Sequence, residues 1–284
     1  MTALVDVHAR ARRLLAEAGV EDAALDARLL VEQATGTSRL DAIRTPEREI
    51  DPATVERVEA MLARRVAGEP VYRIIGSREF FGLSLAVSKD TLDPRPDTEA
   101  LVELALPALR KIADGKGAAR ALDLGTGTGA VALALLQGVP QATMLATDIS
   151  AGALETARAN AVALGLASRF ETGHGPWFRP VSGKFDGIVS NPPYIRGSDI
   201  PDLPREVRDH DPHVALDGGE DGLDAYRVIA SEAPNHLVEG GFVAVEIGYD
   251  QQEAVDALFA GHGFTPGGQR HDLGGHVRAL LFRR

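Results

Sequence analysis

The passage from Ala121 to Gln137 constrains this chain more than any other, because a short apolar run meets a glycine-rich turn and then an apolar helical run. Ala121-Leu122-Asp123-Leu124 has the length and composition of a buried strand, Gly125-Thr126-Gly127-Thr128-Gly129 is the turn, and Ala130 to Gln137 reads as a helix. Glycines at such a junction tolerate positive φ and let the backbone approach a ligand. Beyond Arg120 the alternation continues: strand 143–147, helix 151–164, strands 168–172 and 185–190, helix 223–237, strand 242–247, helix 251–260 and strand 277–282. The pattern predicts an α/β, Rossmann-like, doubly wound sheet, a fold that binds ligands at the carboxyl ends of its strands.

Two features fall at such strand ends. Asp148 stands twenty-one residues after Gly127, closing the apolar stretch Met144 to Thr147. That spacing suits a carboxylate accepting both ribose hydroxyls of a nucleoside cofactor. The glycines alone also satisfy the relaxed dinucleotide pattern of NAD enzymes, and a tight turn with Asp148 and Ser150 as helix caps would explain them without any ligand. The GxGxG spacing and the preceding Asp123 favour S-adenosylmethionine.

The second feature is Asn191-Pro192-Pro193-Tyr194, directly after the apolar run Phe185 to Ser190. Two successive prolines cannot donate to a β ladder, so the strand must stop there. An amide side chain, free backbone carbonyls and an aromatic ring then sit at its carboxyl end. Such a group can grip a planar NH2: Asn191 and the Pro192 carbonyl accept its hydrogens while Tyr194 stacks on its plane. The substrate expected is an amide or an exocyclic amine.

Bulk properties narrow the field. The 284 residues accommodate one large α/β domain and a small companion. Absence of cysteine excludes disulfides, thiolate catalysis and cysteine zinc sites. A net charge of −11 offers little of the electrostatic footprint that nucleic acid needs, so no stable nucleic-acid binding is expected. No stretch approaches the ~20 apolar residues of a membrane span, and the chain is expected to be soluble, cytoplasmic and monomeric.

Three segments are predicted. Residues 1–75 form a helical bundle, with apolar residues at helical spacing through Leu4, Val7, Ala11 and Leu15, and with Asp51-Pro52 starting a helix that ends near Gly68. No strand is expected from Val5 to Val66. Residues 76–93 read as a β-hairpin linker around Gly82, and residues 94–284 as the α/β domain. Pro94 to Glu99 breaks structure before the helical run Leu101 to Leu109, which Asp97 or Thr98 could cap. The acidic stretch Arg196 to Asp224 reads most simply as a solvated loop. His210 and His213 among acids suggest a metal site only weakly, so none is expected. Gly267-Gly268-Gln269 is read as a turn before the terminal strand.

With these motifs in view, the chain resembles the PrmC/HemK family, protein-(glutamine-N5) methyltransferases that modify peptide chain release factors. The resemblance runs nearly the whole length: a helical amino-terminal domain, a hairpin, Pro94 to Glu99, Asp123 to Gly129, Asp148, Trp177-Phe178, Ser190 to Tyr194, Asp211, Ala215-Leu216, Gly218-Gly219 and Asp221-Gly222-Leu223. It implies a class I methyltransferase domain following a helical substrate-recognition domain. It further implies that Gly125, Thr126, Gly127, Thr128 and Gly129 wrap the methionine part of S-adenosylmethionine, that Asp148 holds the ribose, and that Trp177 lies by the adenine. Asn191 borders cofactor and substrate, and Asn191, Pro192, Pro193 and Tyr194 bind the glutamine amide of a Gly-Gly-Gln loop, with Asn191, Pro192 and Tyr194 catalytic; S-adenosylhomocysteine is the product. Gly175-Pro176 replace the polar or acidic residue that usually precedes the aromatic pair. Two other readings stand beside this one: an adenine-N6 DNA methyltransferase, which would extrude a base into the same clamp, and a catalytically silent cofactor-binding adaptor.

Overall fold

In the computed structural model, which describes residues 1–284, the chain divides into two compact units, Met1–Ser77 with Pro204–His210, and Arg78–Leu203 with Asp211–Arg284. The first is helical: α1 (Leu4–Glu17), α2 (Ala23–Thr35), α3 (Arg39–Arg44), α4 (Pro52–Val66) and α5 (Val71–Ile75). Leu4, Val7, Ala11 and Leu15, picked out by their spacing, are buried in its core, with Leu30 and Val31 against Val58 and Leu62. Asp51 caps α4 by accepting from the Thr54 N–H at 2.9 Å, and Pro52 occupies the first turn, where no amide donor is needed. One expectation fails in a small way. The two-residue strands β1 (Thr2–Ala3) and β2 (Glu49–Ile50) pair antiparallel, too short to leave a period-2 signature.

Residues 204–210, assigned to the α/β part from the sequence, cluster with the helices. Buried Arg65 explains this, since Nε donates to Asp26 Oδ2 at 2.6 Å and Nη2 to Glu206 Oε2 at 2.7 Å. A guanidinium taken out of water needs carboxylate partners, and one is supplied from 141 residues away.

The second unit begins with the hairpin β3 (Ser77–Phe80) and β4 (Leu83–Ala86). Phe81 and Gly82, at φ 49° and 74°, make the tight turn. Rather than standing apart as a linker, the hairpin sinks Phe80, Leu83 and Leu85 into the core under α6 (Glu99–Lys116).

Then come β5 (Ala119–Leu124), α7 (Ala130–Gly138), β6 (Ala142–Asp148), α8 (Ala151–Ala163), β7 (Phe170–His174), β8 (Phe185–Ser190), α9 (Arg205–His210, in the helical unit), α10 (Asp224–His236), β9 (Leu237–Glu246), α11 (Gln252–Gly261), β10 (Thr265–His271) and β11 (Val277–Arg283). Seven strands form one sheet in the order β10-β11-β9-β8-β5-β6-β7. The five strands from β9 to β7 are parallel, β11 runs antiparallel to β9, and β10 runs antiparallel to β11. Two apolar layers cover the faces, one around Leu101, Leu109, Leu133 and Phe242, the other around Phe185, Tyr226, Phe259 and Phe282.

β10 corrects the sequence reading. Gly267-Gly268-Gln269 lies inside this edge strand, with a bulge between Pro266 and Gly268, and is not a turn. Every residue of β10 is exposed, so no apolar alternation betrays it, and proline and glycine are tolerated because an edge strand needs only one ladder.

Candidate functional site

The register of the sheet gathers three loops. Leu124 pairs with Thr147 on β6 and with Ser190 on β8, so Gly125, Asp148 and Asn191 leave adjacent parallel strands at one level. β5 is where the order reverses, the point at which doubly wound sheets open a crevice.

The glycine loop borders this cleft. Gly125, Gly127 and Gly129 have φ of 70°, 55° and 82°, in the left-handed region that disfavours side chains. A Cβ on Gly125 or Gly127 would meet nothing within 4 Å, so their faces open onto free space. Thr126 and Thr128 are buried, and the Thr126 hydroxyl donates to Asp123 Oδ2 at 2.7 Å. Asp148 braces the loop from the next strand: Oδ2 accepts from the Gly127 N–H at 2.9 Å and Oδ1 from the Ser150 N–H at 2.8 Å. Two bonds leave part of this carboxylate's acceptor capacity for a ligand. Ser150, not Asp148, caps α8, accepting from the Ala153 N–H.

The sequence reading missed Asn160. This buried side chain ties the loop to the hairpin, with Nδ2 donating to the carbonyls of Thr128 (2.9 Å) and Ala86 (3.0 Å) and Oδ1 accepting from the Ala86 N–H (2.8 Å). An asparagine on the apolar side of a helix was the available signal.

Carboxylates dominate the cleft. Asp90, Asp93, Asp123 and Asp148 line it with a single cation, Arg95, whose guanidinium donates to buried Asp211 at 2.9 Å. Burial pushes the Asp123 carboxyl up to about 7; the Thr126 hydroxyl pulls it down and the neighbouring Asp148 raises it again. Asp148 is likewise raised by burial, against hydrogen bonds from the amides of Ser150 and Gly127. Such a lining attracts a cationic ligand and repels a pyrophosphate, which separates a sulfonium nucleoside from a nicotinamide dinucleotide. Trp177 closes one wall beside Gly175 and Pro176, its backbone held at φ 47°.

The Asn191 loop forms the opposite wall. Asn191 and Pro193 line the cleft; Pro192 is buried outside it, and Tyr194 packs against the apolar layer on the far face. Asn191 Nδ2 donates to Thr98 Oγ1 at 3.1 Å, and Oδ1 takes no hydrogen bond from the protein. The Tyr194 hydroxyl donates to Glu246 Oε1 at 3.3 Å. Thr98 therefore does not cap α6 as the sequence suggested, and neither does Asp97: that helix follows a 3-10 turn at Pro96–Thr98 and has no side-chain cap.

Behind this loop lies packing the sequence reading left unexplained. Ile195 bridges to Asp217, the Gly218 N–H donates to the Ile195 carbonyl at 2.8 Å, and Gln251 Nε2 donates to the Tyr194 carbonyl at 3.0 Å. A Cβ on Gly218 would lie 2.9 Å from the Pro193 carbonyl oxygen, and one on Gly222 2.5 Å from that of Tyr194. Only hydrogen fits at either place. The acidic stretch is solvated as read, its ion pairs such as Arg196 to Asp250 at 2.7 Å and Arg227 to Asp224 at 2.8 Å lying at the surface; Asp211, buried against Arg95, is the exception. No three His, Asp or Glu side chains are placed to hold a metal ion together, and no helix is long and apolar enough to cross a membrane.

Comparison with known proteins adds to this geometry. Family models described as the PrmC N-terminal domain and the methyltransferase small domain match residues 6–76 and 88–207. The chain is 55% identical over 274 residues to the release factor glutamine methyltransferase of Agrobacterium fabrum, covering 96% of this chain and 95% of that one. To the protein of the same name from Bradyrhizobium diazoefficiens it is 45% identical over 279 residues, covering 96% and 94%. Among solved structures, a methyltransferase from Pyrococcus furiosus superposes with a TM-score of 0.55 at 21% identity, over 79% of this chain and 98% of that one, a likeness of fold alone.

Proposed function

The chain belongs to the release factor glutamine methyltransferase family, and from that premise we propose that it moves a methyl group from S-adenosylmethionine to the side-chain amide nitrogen (N5) of the glutamine in a release factor's Gly-Gly-Gln motif. The observation that carries the assignment is that Asn191 and the Gly125–Gly129 loop line one carboxylate-rich cleft, with Asn191 Oδ1 free to accept. S-adenosylmethionine supplies the electrophile, a methyl group on a sulfonium. The open faces of Gly125 and Gly127, with Thr126, Thr128 and Gly129 shaping the loop behind them, fit its methionine arm; Asp148 fits the ribose and Trp177 the adenine.

An amide nitrogen is a weak nucleophile, because its lone pair is delocalised into the carbonyl. Asn191 Oδ1 and the Pro192 carbonyl accept its two hydrogens, which raises electron density on nitrogen and fixes the direction of attack. Pro193 completes the cleft wall, and Tyr194, outside the cleft lining, backs the loop through its hydrogen bond to Glu246. The new N–C bond forms as the S–C bond breaks, and the methylated nitrogen sheds a proton to a backbone carbonyl or water. No charged base is needed beforehand. In-line placement in a dry pocket supplies most of the acceleration, an effect worth roughly 7–11 kcal/mol. The helical unit is assigned to recognition of the protein substrate, and the product termination factor is altered at the loop used in translation termination.

The test is transfer of labelled methyl to a purified release factor, beside the same factor carrying Gln→Ala in its Gly-Gly-Gln loop. Label on the first alone is expected; label on both moves the acceptor elsewhere, and label on neither, with the cofactor still bound, removes the substrate assignment.

A further inference from the structure

Gln251 stands at the N-cap of α11, yet its side chain makes no bond to that helix. It is turned inward, and the residue is 4% exposed. Nε2 donates to the carbonyls of Tyr194 at 3.0 Å and Gly222 at 3.2 Å. Oε1 accepts from the Gly248 N–H at 2.9 Å and lies 3.4 Å from the Tyr226 hydroxyl, which also donates to the Glu246 carbonyl at 2.9 Å. Both hydrogens of the carboxamide are in use, and its oxygen faces two donors. Glycines clear its path, since a Cβ on Gly222 would lie 2.6 Å from Nε2 and one on Gly248 2.9 Å from Oε1. One side chain thus joins the end of the Asn191 loop, the turn before α10, α10 itself and the turn after β9.

The two bonds from Nε2 do one task. At 3.0 and 3.2 Å from a single nitrogen, the Tyr194 and Gly222 oxygens are neighbours. Carbonyl oxygens carry like partial charge and repel, so the NH2 group between them is what lets them stand together. Without it both lose this donor, and the Tyr194 peptide has to turn in search of another. Such a turn is passed toward the cleft. Between Asn191 and Tyr194 stand Pro192 and Pro193, whose rings fix φ and leave the segment few ways to bend. A stiff segment is aimed by its ends. Asn191 Nδ2 donates to Thr98 at one end, and the Tyr194 carbonyl accepts from Gln251 at the other.

We propose that Gln251 is a positioning residue: through the Tyr194 carbonyl it anchors the far end of the 191–194 segment and so aims the acceptor that Asn191 presents to the substrate amide. The proposal rests on the assignment of Asn191 as acceptor for that amide.

The experiment compares Gln251→Met, which keeps the length of the side chain and loses its hydrogen bonds, with Gln251→Glu. Gln251→Met should lower kcat for methyl transfer to the release factor about 10- to 100-fold, the cost of a misplaced reacting group, with cofactor Kd unchanged. In a crystal structure of that variant with S-adenosylhomocysteine, the Tyr194 carbonyl should be turned from its place and the glycine loop unmoved. Gln251→Glu carries the sharper signature. Its carboxylic acid has a hydrogen for the Tyr194 carbonyl and an oxygen for the Gly248 N–H, whereas its carboxylate has no hydrogen and sets a charge against two carbonyl oxygens. The titratable groups facing this position are the Tyr226 hydroxyl, whose proton burial retains, and beyond it Tyr194 and Glu246, which the wild type shares. The rate of Gln251→Glu relative to wild type should therefore be highest in acid and fall as the introduced carboxyl ionises. Wild-type turnover in Gln251→Met, or a Gln251→Glu ratio that ignores pH, overturns the proposal, while label on the release factor leaves the substrate assignment standing. If the wild type labels no release factor, that assignment falls, and an unmoved Tyr194 carbonyl in the Gln251→Met crystal structure still overturns the anchor.

Discussion

The glycine loop after β5 is held by near neighbours in a local αβ unit, whereas the Asn191 loop after β8 is held by residues drawn from across the α/β unit. Gly125 to Gly129 need their own positive φ values, Asp148 from the next strand and Asn160 from the next helix. Asn191 to Tyr194 depend on Thr98, Glu246, Gln251, Gly218 and Gly222, as far as 93 positions away in the chain for Thr98. The first loop is a binding cradle that local sequence can write. The second has to aim one hydrogen-bond acceptor, and aiming takes rigid backing from several elements.

The comparison predicts separable failures. The largest is expected at Asn191: Asn191→Ala should lower kcat about 100- to 1000-fold, the range seen when one aligned polar group is removed from a reacting centre, while the cofactor Kd, measured by calorimetry, changes little. Next comes Gly222→Ala. Its Cβ would press on the Tyr194 carbonyl at 2.5 Å, at a φ of 78° that favours glycine, so we expect about 1–3 kcal/mol of lost stability in chemical denaturation and a fall in kcat. Gly125→Ala is the matched control. At a φ of 70° it bears the same backbone strain, but its Cβ meets open space in the cradle, so it should cost less stability than Gly222→Ala and should weaken cofactor binding.

A smaller and opposite effect belongs to Asp148→Asn. Removing charge from a hydrogen-bonded ligand contact costs about 1.5–3 kcal/mol, so the cofactor Kd should rise roughly 10- to 100-fold, with kcat at saturation near that of the wild type. If kcat falls as it does in Asn191→Ala, the two loops are not separable.

The smallest effect concerns pH. Asp123 is raised by burial to about 7, above its value in the unfolded chain. Such a group stabilises the fold fully at low pH, and that contribution is lost as pH rises through about 7. Asp123→Asn keeps an acceptor for Thr126 and sheds the charge. Its thermal midpoint relative to wild type should therefore climb between pH 5 and pH 8, and a difference independent of pH would contradict this.

The difference between the loops also explains what could be read from the sequence. The strands and helices from 121 to 164 announce themselves because apolar periodicity and the glycine turn are local signals. The Asn191 motif was visible too, through its two prolines. Its supports were not: Thr98 reads as a helix cap until the fold brings Asn191 beside it, and a glutamate ending an apolar strand gives no hint that it backs Tyr194. Gly218 and Gly222 stand out as glycines, but the carbonyls they accommodate come from residues 193 and 194. β10 escaped for another reason, since an exposed edge strand containing proline and two glycines carries no burial pattern.

The most direct test of this division of labour is to measure cofactor Kd and single-turnover methyl transfer side by side for Asn191→Ala and Asp148→Ala. The account predicts a slow Asn191→Ala enzyme that binds the cofactor nearly as the wild type does, and an Asp148→Ala enzyme that binds it poorly yet reacts well once saturated. Equal loss of binding in both would contradict it.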